Sequence, residues 1–205
     1  MPTFKTMSCC GLAFVLSIAV SSNILGADIP NSETLARLQV VYNTTNNGFD
    51  RYQAFALRAD LDGYAGVAAL FRSVARGQQI LYTAAGDALK ELGSVPLATA
   101  DIPDVQSTKE NLDRAVKDAE AFDHDNAFIT YSKRAKAEGN LKVAKLFEYV
   151  HDATIENGKL LKATLKNLDQ MKSAGPGYFV CGLTGFVATA LDPSHCVGGD
   201  WERVK

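Results

Sequence analysis

The stretch Arg51–Gln79 constrains the fold of this chain most strongly, because two helical patterns meet in it at a short break. Apolar residues recur at helical spacing before the break (Tyr52, Phe55, Ala56, Ala59) and after it (Tyr64, Val67, Ala68, Phe71, Val74, Ala75). Each series marks the buried face of an amphipathic helix. The break at residues 60–63, Asp-Leu-Asp-Gly, is short, so it predicts two antiparallel helices packed side by side.

Two more helices are predicted further along the chain. Residues 94–106 contain two prolines and no helical period, which indicates a long crossover loop. Ser107 and Glu110 form a capping-box pattern at the start of a third helix, which is expected to continue to about residue 137. A short connection at 137–140 leads to a fourth helix that ends at Gly175. Two helical hairpins joined by a long crossover predict an all-α fold, a four-helix bundle of the ferritin-like kind.

The N-terminus has the pattern of a secretory signal peptide. Lys5 supplies a positive charge, residues 11–20 are apolar and small residues follow, so residues 1–26 are predicted to be removed. The protein is then expected in the periplasm or outside the cell, free of the membrane; an uncleaved signal acting as an anchor is the alternative. After cleavage only Cys181 and Cys196 remain of the 4 cysteines, and an even number in an exported protein favours a disulfide.

The rest of the chain divides into two parts. Residues 27–175 form the predicted helical bundle, and residues 176–205 are rich in glycine and carry both remaining cysteines, which predicts a small β-rich appendage. The charge is nearly balanced, with 21 basic and 23 acidic residues and no basic cluster. Nucleic acid and anionic membrane surfaces are therefore not expected as partners.

Several segments resemble the rubrerythrin family, over essentially the whole mature chain. They read RYQAFALRADLDGYAGVAALFR, STKENLDRAVKDAEAF and RAKAEGN in the bundle, and YFVCGLTGF and HCVGGDW in the tail. The resemblance implies a ferritin-like bundle with a di-iron carboxylate site. It also implies a rubredoxin-like tail, whose four-cysteine iron centre passes electrons to the bundle for the reduction of peroxide. Family members commonly form head-to-tail dimers, so a homodimer is expected.

The di-iron ligands of the family fall on changed residues in this chain. By the resemblance, the ligand positions are Thr45 on the first helix, Gln78 and Leu81 on the second, Glu120 and Asp123 on the third, and Thr154 and Asn157 on the fourth. Both histidines and three of the carboxylates are replaced, so too few ligands remain for two iron ions. The polar residues of this set are expected to converge inside the bundle, where the neutral ones form a hydrogen-bonded polar core.

The four-cysteine centre of the tail is incomplete in the same way. Thr184 and Gly199 stand where the second cysteine of each Cys-x-x-Cys pair would be. The resemblance implies that Cys181 and Cys196 face each other where the metal would lie. A disulfide between them is therefore expected as its replacement.

These losses predict a non-catalytic protein with a structural or binding role, no cofactor and an unidentified protein partner. One alternative is a peroxide-reducing oxidoreductase or iron-binding protein, in which Glu120, Asp123 and His124 rebuild a mononuclear iron site. Another is a single Ca²⁺ or Mg²⁺ ion, which oxygen ligands suit. Its candidate ligands are Gln78, Glu120, Asp123, Thr154 and Asn157.

Overall fold

The computed structural model describes residues 32–175 and 177–205, so the predicted signal peptide lies outside the described residues. Its α-helices are α1 (Ser32–Leu61), α2 (Ala65–Glu91), α3 (Thr108–Asp125), α4 (Ala127–Ala137) and α5 (Leu141–Lys166). The strands β1 (Tyr178–Cys181), β2 (Val187–Ala188) and β3 (Trp201–Val204) form one antiparallel sheet in the order β2-β1-β3. A helical bundle followed by a small C-terminal sheet is thus confirmed. None of the described helices is long and apolar enough to span a membrane.

The predicted hairpin of α1 and α2 is confirmed, and its turn also fixes the start of α3. Gly63 ends the turn with a φ of 79°, a left-handed conformation that favours glycine. The Asp62 carboxylate accepts hydrogen bonds from the backbone N (2.9 Å) and the hydroxyl (2.7 Å) of Thr108. Arg58 and these two bonds hold the pKa of Asp62 below its ordinary value. The break between the first two helices therefore anchors the third.

The third predicted helix is broken into α3 and α4 at Asn126, so the expectation of one continuous helix is wrong. Asn126 has a φ of 49°, in the left-handed region that a helix cannot pass through. Asparagine reaches this region more readily than most residues with a side chain. The capping box is confirmed: Ser107 Oγ accepts from the Glu110 backbone N, and the Glu110 carboxylate accepts from the Ser107 backbone N at 3.1 Å.

The crossover at residues 94–107 has no regular secondary structure and lies along α1. The Gln39 side-chain amide donates to Leu97 O at 2.7 Å and accepts from Leu97 N at 3.1 Å. Asn43 Oδ1 accepts from Thr99 N at 3.1 Å. These bonds satisfy backbone groups of an extended segment that has no neighbouring strand.

Two apolar clusters form the core of the bundle. The first contains Leu38, Val41, Leu81, Phe128, Phe147 and Val150, and the second contains Phe55, Val67, Phe71, Val74, Leu112 and Leu161, among others. The second cluster also includes Val180 and Val187 of the sheet, so the C-terminal tail packs directly on the helices. A Cβ atom at Gly185 would lie 2.7 Å from Gly77 O of α2, so the two backbones approach as closely as glycine allows.

Candidate functional site

A cavity of about 350 Å³ lies among α1, α2, α3 and α5, and four of the predicted site residues line it. These are Thr45, Gln78, Thr154 and Asn157. The other lining residues are Thr44, Gly48, Arg51, Tyr52, Val74, Asp118, Ala119, Phe122, Val150 and Leu161. Because Val150 belongs to one apolar cluster and Val74 and Leu161 to the other, the cavity borders both.

The two threonines of the cavity are satisfied within their own helices. Thr45 Oγ1 donates to Val41 O, and Thr154 Oγ1 donates to Val150 O, both at 2.7 Å. Such bonds are local and need no partner on a neighbouring helix. The expected shared polar core is therefore absent among the described residues, since each hydroxyl is bonded separately.

The two amides of the cavity differ in their hydrogen bonds. Asn157 is 3% exposed, and its side chain accepts from Val187 N at 2.9 Å and donates to Gly185 O at 3.4 Å. Asn157 therefore holds the C-terminal tail against α5. Gln78 forms no hydrogen bond with any other residue that the structure describes. Its side chain lies against Gly48, where a Cβ atom would be 2.9 Å from Gln78 Oε1.

The expectation that Glu120 and Asp123 face the interior is wrong, because both are exposed. Glu120 Oε1 pairs with Lys162 Nζ at 2.5 Å, and this hydrogen bond holds the pKa of Glu120 below its ordinary value. Ala119 and Phe122, one position earlier in each case, line the cavity instead. Each residue turns about 100° around a helix, so an offset of one position moves a side chain off the buried face.

The charged groups at the cavity form one ion pair. Arg51 Nη1 lies 2.9 Å from Asp118 Oδ2 and joins α1 to α3, with the two side chains 30% and 51% exposed. Burial raises the pKa of the adjacent Tyr52 to about 12, so its phenol is uncharged at neutral pH. The lining of the cavity therefore carries no net charge.

The other metal candidates lie outside this cavity. Glu120, Asp123 and His124 line a separate groove between α3 and α5, together with Lys159 and Lys162. The five oxygen ligands considered for Ca²⁺ or Mg²⁺ are thus divided between two places. Within residues 32–175 and 177–205, no three His, Cys, Asp or Glu side chains are grouped so that they could hold a metal ion.

The residues at the family's di-iron positions do not fit iron. Around the cavity they present two hydroxyls and two amides, and Leu81 is fully buried in the apolar core. Non-haem iron is held by carboxylate and imidazole groups, and the four ligand positions that line the cavity offer neither. The only lining carboxylate, on Asp118, is committed to Arg51.

The predicted disulfide between Cys181 and Cys196 is confirmed. The two Cα atoms are 5.6 Å apart, and both residues are buried. Each cysteine opens a tight turn: Cys181 O accepts from Gly185 N at 3.0 Å, and Cys196 O accepts from Gly199 N at 3.2 Å. A Cβ atom at Gly199 would lie 3.0 Å from Cys196 Sγ and 3.3 Å from Cys181 Sγ. Position 199 therefore faces the sulfurs, and the disulfide leaves no room for a side chain there.

Sequence reasoning missed two features of the site. The first is the Arg51–Asp118 pair, whose residues lie on different helices 67 positions apart. The second is the contact of Asn157 with the tail. Gly77 and Gly185 are a sequence signal that the tail packs on the helices, because the close approach of their backbones leaves no room for a side chain.

Similarity to known proteins covers most of the chain. The sequence profile of the rubrerythrin family matches residues 46–158. Nigerythrin, in a fully reduced, all-ferrous state, is similar in fold, with a TM-score of 0.68 and 20% identity over 85% of this chain and 83% of that chain. The bacterioferritin BfrA of Mycobacterium tuberculosis gives a TM-score of 0.60 and 15% identity over 68% of this chain and 87% of its own.

A third similar structure is the bacterioferritin of Desulfovibrio desulfuricans, with a TM-score of 0.57 and 19% identity over 78% of this chain and 97% of that chain. No curated protein sequence matches. At these identities the structural neighbours establish the fold alone, and the predicted ferritin-like class is confirmed.

Proposed function

Because this chain belongs to the rubrerythrin family, we propose that it is an exported, non-catalytic member that keeps the helical scaffold for a structural or binding role. One observation carries the proposal. Four of the positions to which the family resemblance assigns iron ligands line a cavity, and its walls carry neutral groups and one balanced ion pair. Burying metal charge without balancing ligands is costly.

The tail supports the same proposal. A rubredoxin-type centre needs four thiolates, and here the sulfurs of Cys181 and Cys196 are bonded to each other. A disulfide sulfur offers no thiolate to a metal. The tail therefore also lacks the ligands of the iron centre that would pass electrons to the bundle.

Export is supported by two independent features. The predicted signal peptide supplies a route out of the cytoplasm. The buried disulfide is of the kind that persists in oxidising compartments and is rare in the cytoplasm.

The rebuilt mononuclear site has no comparable support. Lys162 forms an ion pair with the carboxylate of Glu120, and Lys159 lines the same groove. A metal ion would therefore have to compete with two positively charged side chains. We therefore do not favour an iron-dependent oxidoreductase at Glu120, Asp123 and His124.

Metal analysis of the purified protein tests the proposal. Protein recovered after export would be incubated with ferrous iron, desalted, and measured for bound iron, visible absorbance and peroxide consumption. We expect no stoichiometric iron and no peroxide turnover, with nigerythrin treated in parallel as the positive control for bound ferrous iron. One or more iron ions retained per chain together with peroxide consumption would refute the proposal.

A further inference from the structure

We propose that the bundle cavity binds a small, uncharged and mainly apolar molecule that carries one hydrogen-bonding group. This inference rests on the proposed function, because a cavity occupied by metal ions would not have room for such a molecule. Three properties of the cavity support this inference: its size, its walls and its single uncommitted amide.

The size of the cavity suits a small organic molecule. At about 350 Å³, it lies at the lower end of the range of about 300 to 1,000 Å³ that is usual for ligand sites. An engineered apolar cavity of about 150 Å³ is already large enough for benzene. A ligand with two fused rings is therefore of suitable size.

The walls of the cavity are mainly apolar. Tyr52, Phe122, Val74, Val150 and Leu161 supply rings and branched aliphatic groups. Sites lined in this way recognise ligands by apolar contact and use few polar groups to set their orientation.

Gln78 is the one amide of the wall that has no hydrogen-bond partner among the described residues. The hydroxyls of Thr45 and Thr154 donate to their own helices, and both ends of the Asn157 amide are bonded to the tail. Gln78 forms no such bond, and its amide offers both a donor and an acceptor. A ligand hydroxyl or carbonyl group would supply the missing partner.

The charges at the cavity favour an uncharged ligand. Arg51 and Asp118 neutralise each other. Because Asp118 and the lining residue Thr44 are exposed, this ion pair lies where the cavity meets solvent. A charged ligand would have to lose its hydration in a cavity that offers no opposite charge inside. The site is therefore expected to exclude carboxylates.

A matched set of three probes tests the proposal. Binding of 2-naphthol, naphthalene and 2-naphthoate to the purified protein would be followed by probe fluorescence. We expect 2-naphthol to bind about fivefold more tightly than naphthalene, the factor that corresponds to one neutral hydrogen bond. Saturable binding of 2-naphthoate as tight as that of 2-naphthol would overturn the inference.

Variants locate the binding. Gln78→Leu should weaken 2-naphthol binding about fivefold and leave naphthalene unchanged, whereas Gln53→Leu, an exposed glutamine on the same helical hairpin, should change neither. Thr154→Phe should block both probes, and Thr44→Phe at the exposed rim serves the same purpose if the first variant does not fold. Unchanged binding in Gln78→Leu and in a folded blocking variant would refute the site.

The iron experiment separates the two proposals. Protein that binds neither iron nor 2-naphthol would overturn this inference and leave the proposed function standing. Ferrous iron that binds and displaces 2-naphthol would overturn the proposed function.

Discussion

The bundle and the tail both lack iron ligands that the family resemblance assigns to them, but the residues at those positions are arranged differently in the two regions. In the bundle four of the ligand positions line a cavity, and no hydrogen bond joins Thr45 to Gln78 or Thr154. In the tail a covalent bond joins Cys181 to Cys196.

The amount of apolar core explains the difference. The helices of the bundle are held by two large clusters of buried side chains, so a cavity between them can stay open. The tail buries few apolar side chains, chiefly Val180 and Val187 with the two cysteines. A segment this small usually needs a cross-link, a metal or a larger neighbour to remain folded. A large core can thus stay folded around a cavity, whereas a small segment needs a cross-link.

Removal of the disulfide is expected to cause the largest loss of stability. This loss should be limited to the tail. In Cys181→Ala/Cys196→Ala the cross-link over 15 residues is lost, at a cost of about 3 kcal/mol. Hydrogen exchange should show that amides of β1 and β3 lose protection while those of α2 and α5 keep it. Val197→Ala, an exposed neighbour of Cys196, is the control. An equal loss of protection in the bundle would show that the two regions are not stabilised separately.

Loss of the contact between the bundle and the tail should cause the next largest decrease in stability. Asn157→Leu removes the acceptor for Val187 N and the donor to Gly185 O, and a buried unpaired backbone group costs about 2 kcal/mol. Trp201 is the only tryptophan and lies in β3, so its fluorescence during denaturation reports on the tail. Asn167→Leu, which removes an exposed bond within one helical segment, should have little effect. A transition at the same denaturant concentration as wild type would mean that Asn157 does not hold the tail.

The bundle should lose stability in acid, whereas the contribution of the disulfide to the tail should not, because disulfide-bonded cysteines do not titrate. Glu148 of α5 accepts from Lys136 and Ser132 of α4 and from Lys145, and Lys136 above all lowers its pKa from 4.5 to about 2. Since the folded pKa is depressed, the stabilisation is complete above the unfolded value of 4.5 and is lost as the pH falls toward 2. We expect this carboxylate to contribute about 1 kcal/mol to the free energy of unfolding, a modest amount because the Glu148 side chain is partly exposed.

Thermal unfolding monitored by circular dichroism between pH 6 and about pH 2 checks this expectation. Glu148→Gln should remove the part of the acid sensitivity that this carboxylate causes, and Glu156→Gln, whose partner is Lys159 on the same helix, should remove less. Identical pH profiles for wild type and Glu148→Gln would contradict the assignment.

The smallest effect is expected at the cavity itself. Thr45→Val and Thr154→Val remove hydroxyls that bond only to carbonyls of their own helix turns, so the free energy of unfolding should change by less than about 0.5 kcal/mol. Chemical denaturation measures this directly. A loss several times larger would show that the two hydroxyls belong to a coupled polar network, and the contrast with the tail would then disappear.

The sequence by itself determined the helical hairpin of α1 and α2, the capped start of α3, the crossover and the disulfide. Each depends on local chemistry: helical spacing of apolar residues, a capping pair, prolines, and two cysteines in a chain with a predicted export signal. The same local rules did not find the break at Asn126, because one left-handed residue inside a helical pattern leaves little trace in residue spacing.

Only the tertiary structure decided which residues form the site. The apolar residues Leu112, Val116 and Ala119 set the rotation of α3, and that rotation turns Glu120 and Asp123 outward and Phe122 toward the cavity. The pairing of Arg51 with Asp118 and of Asn157 with the tail likewise joins elements that are distant in the chain. A pattern in one helix fixes which residues share a face, but the direction of that face depends on the packing of its neighbours.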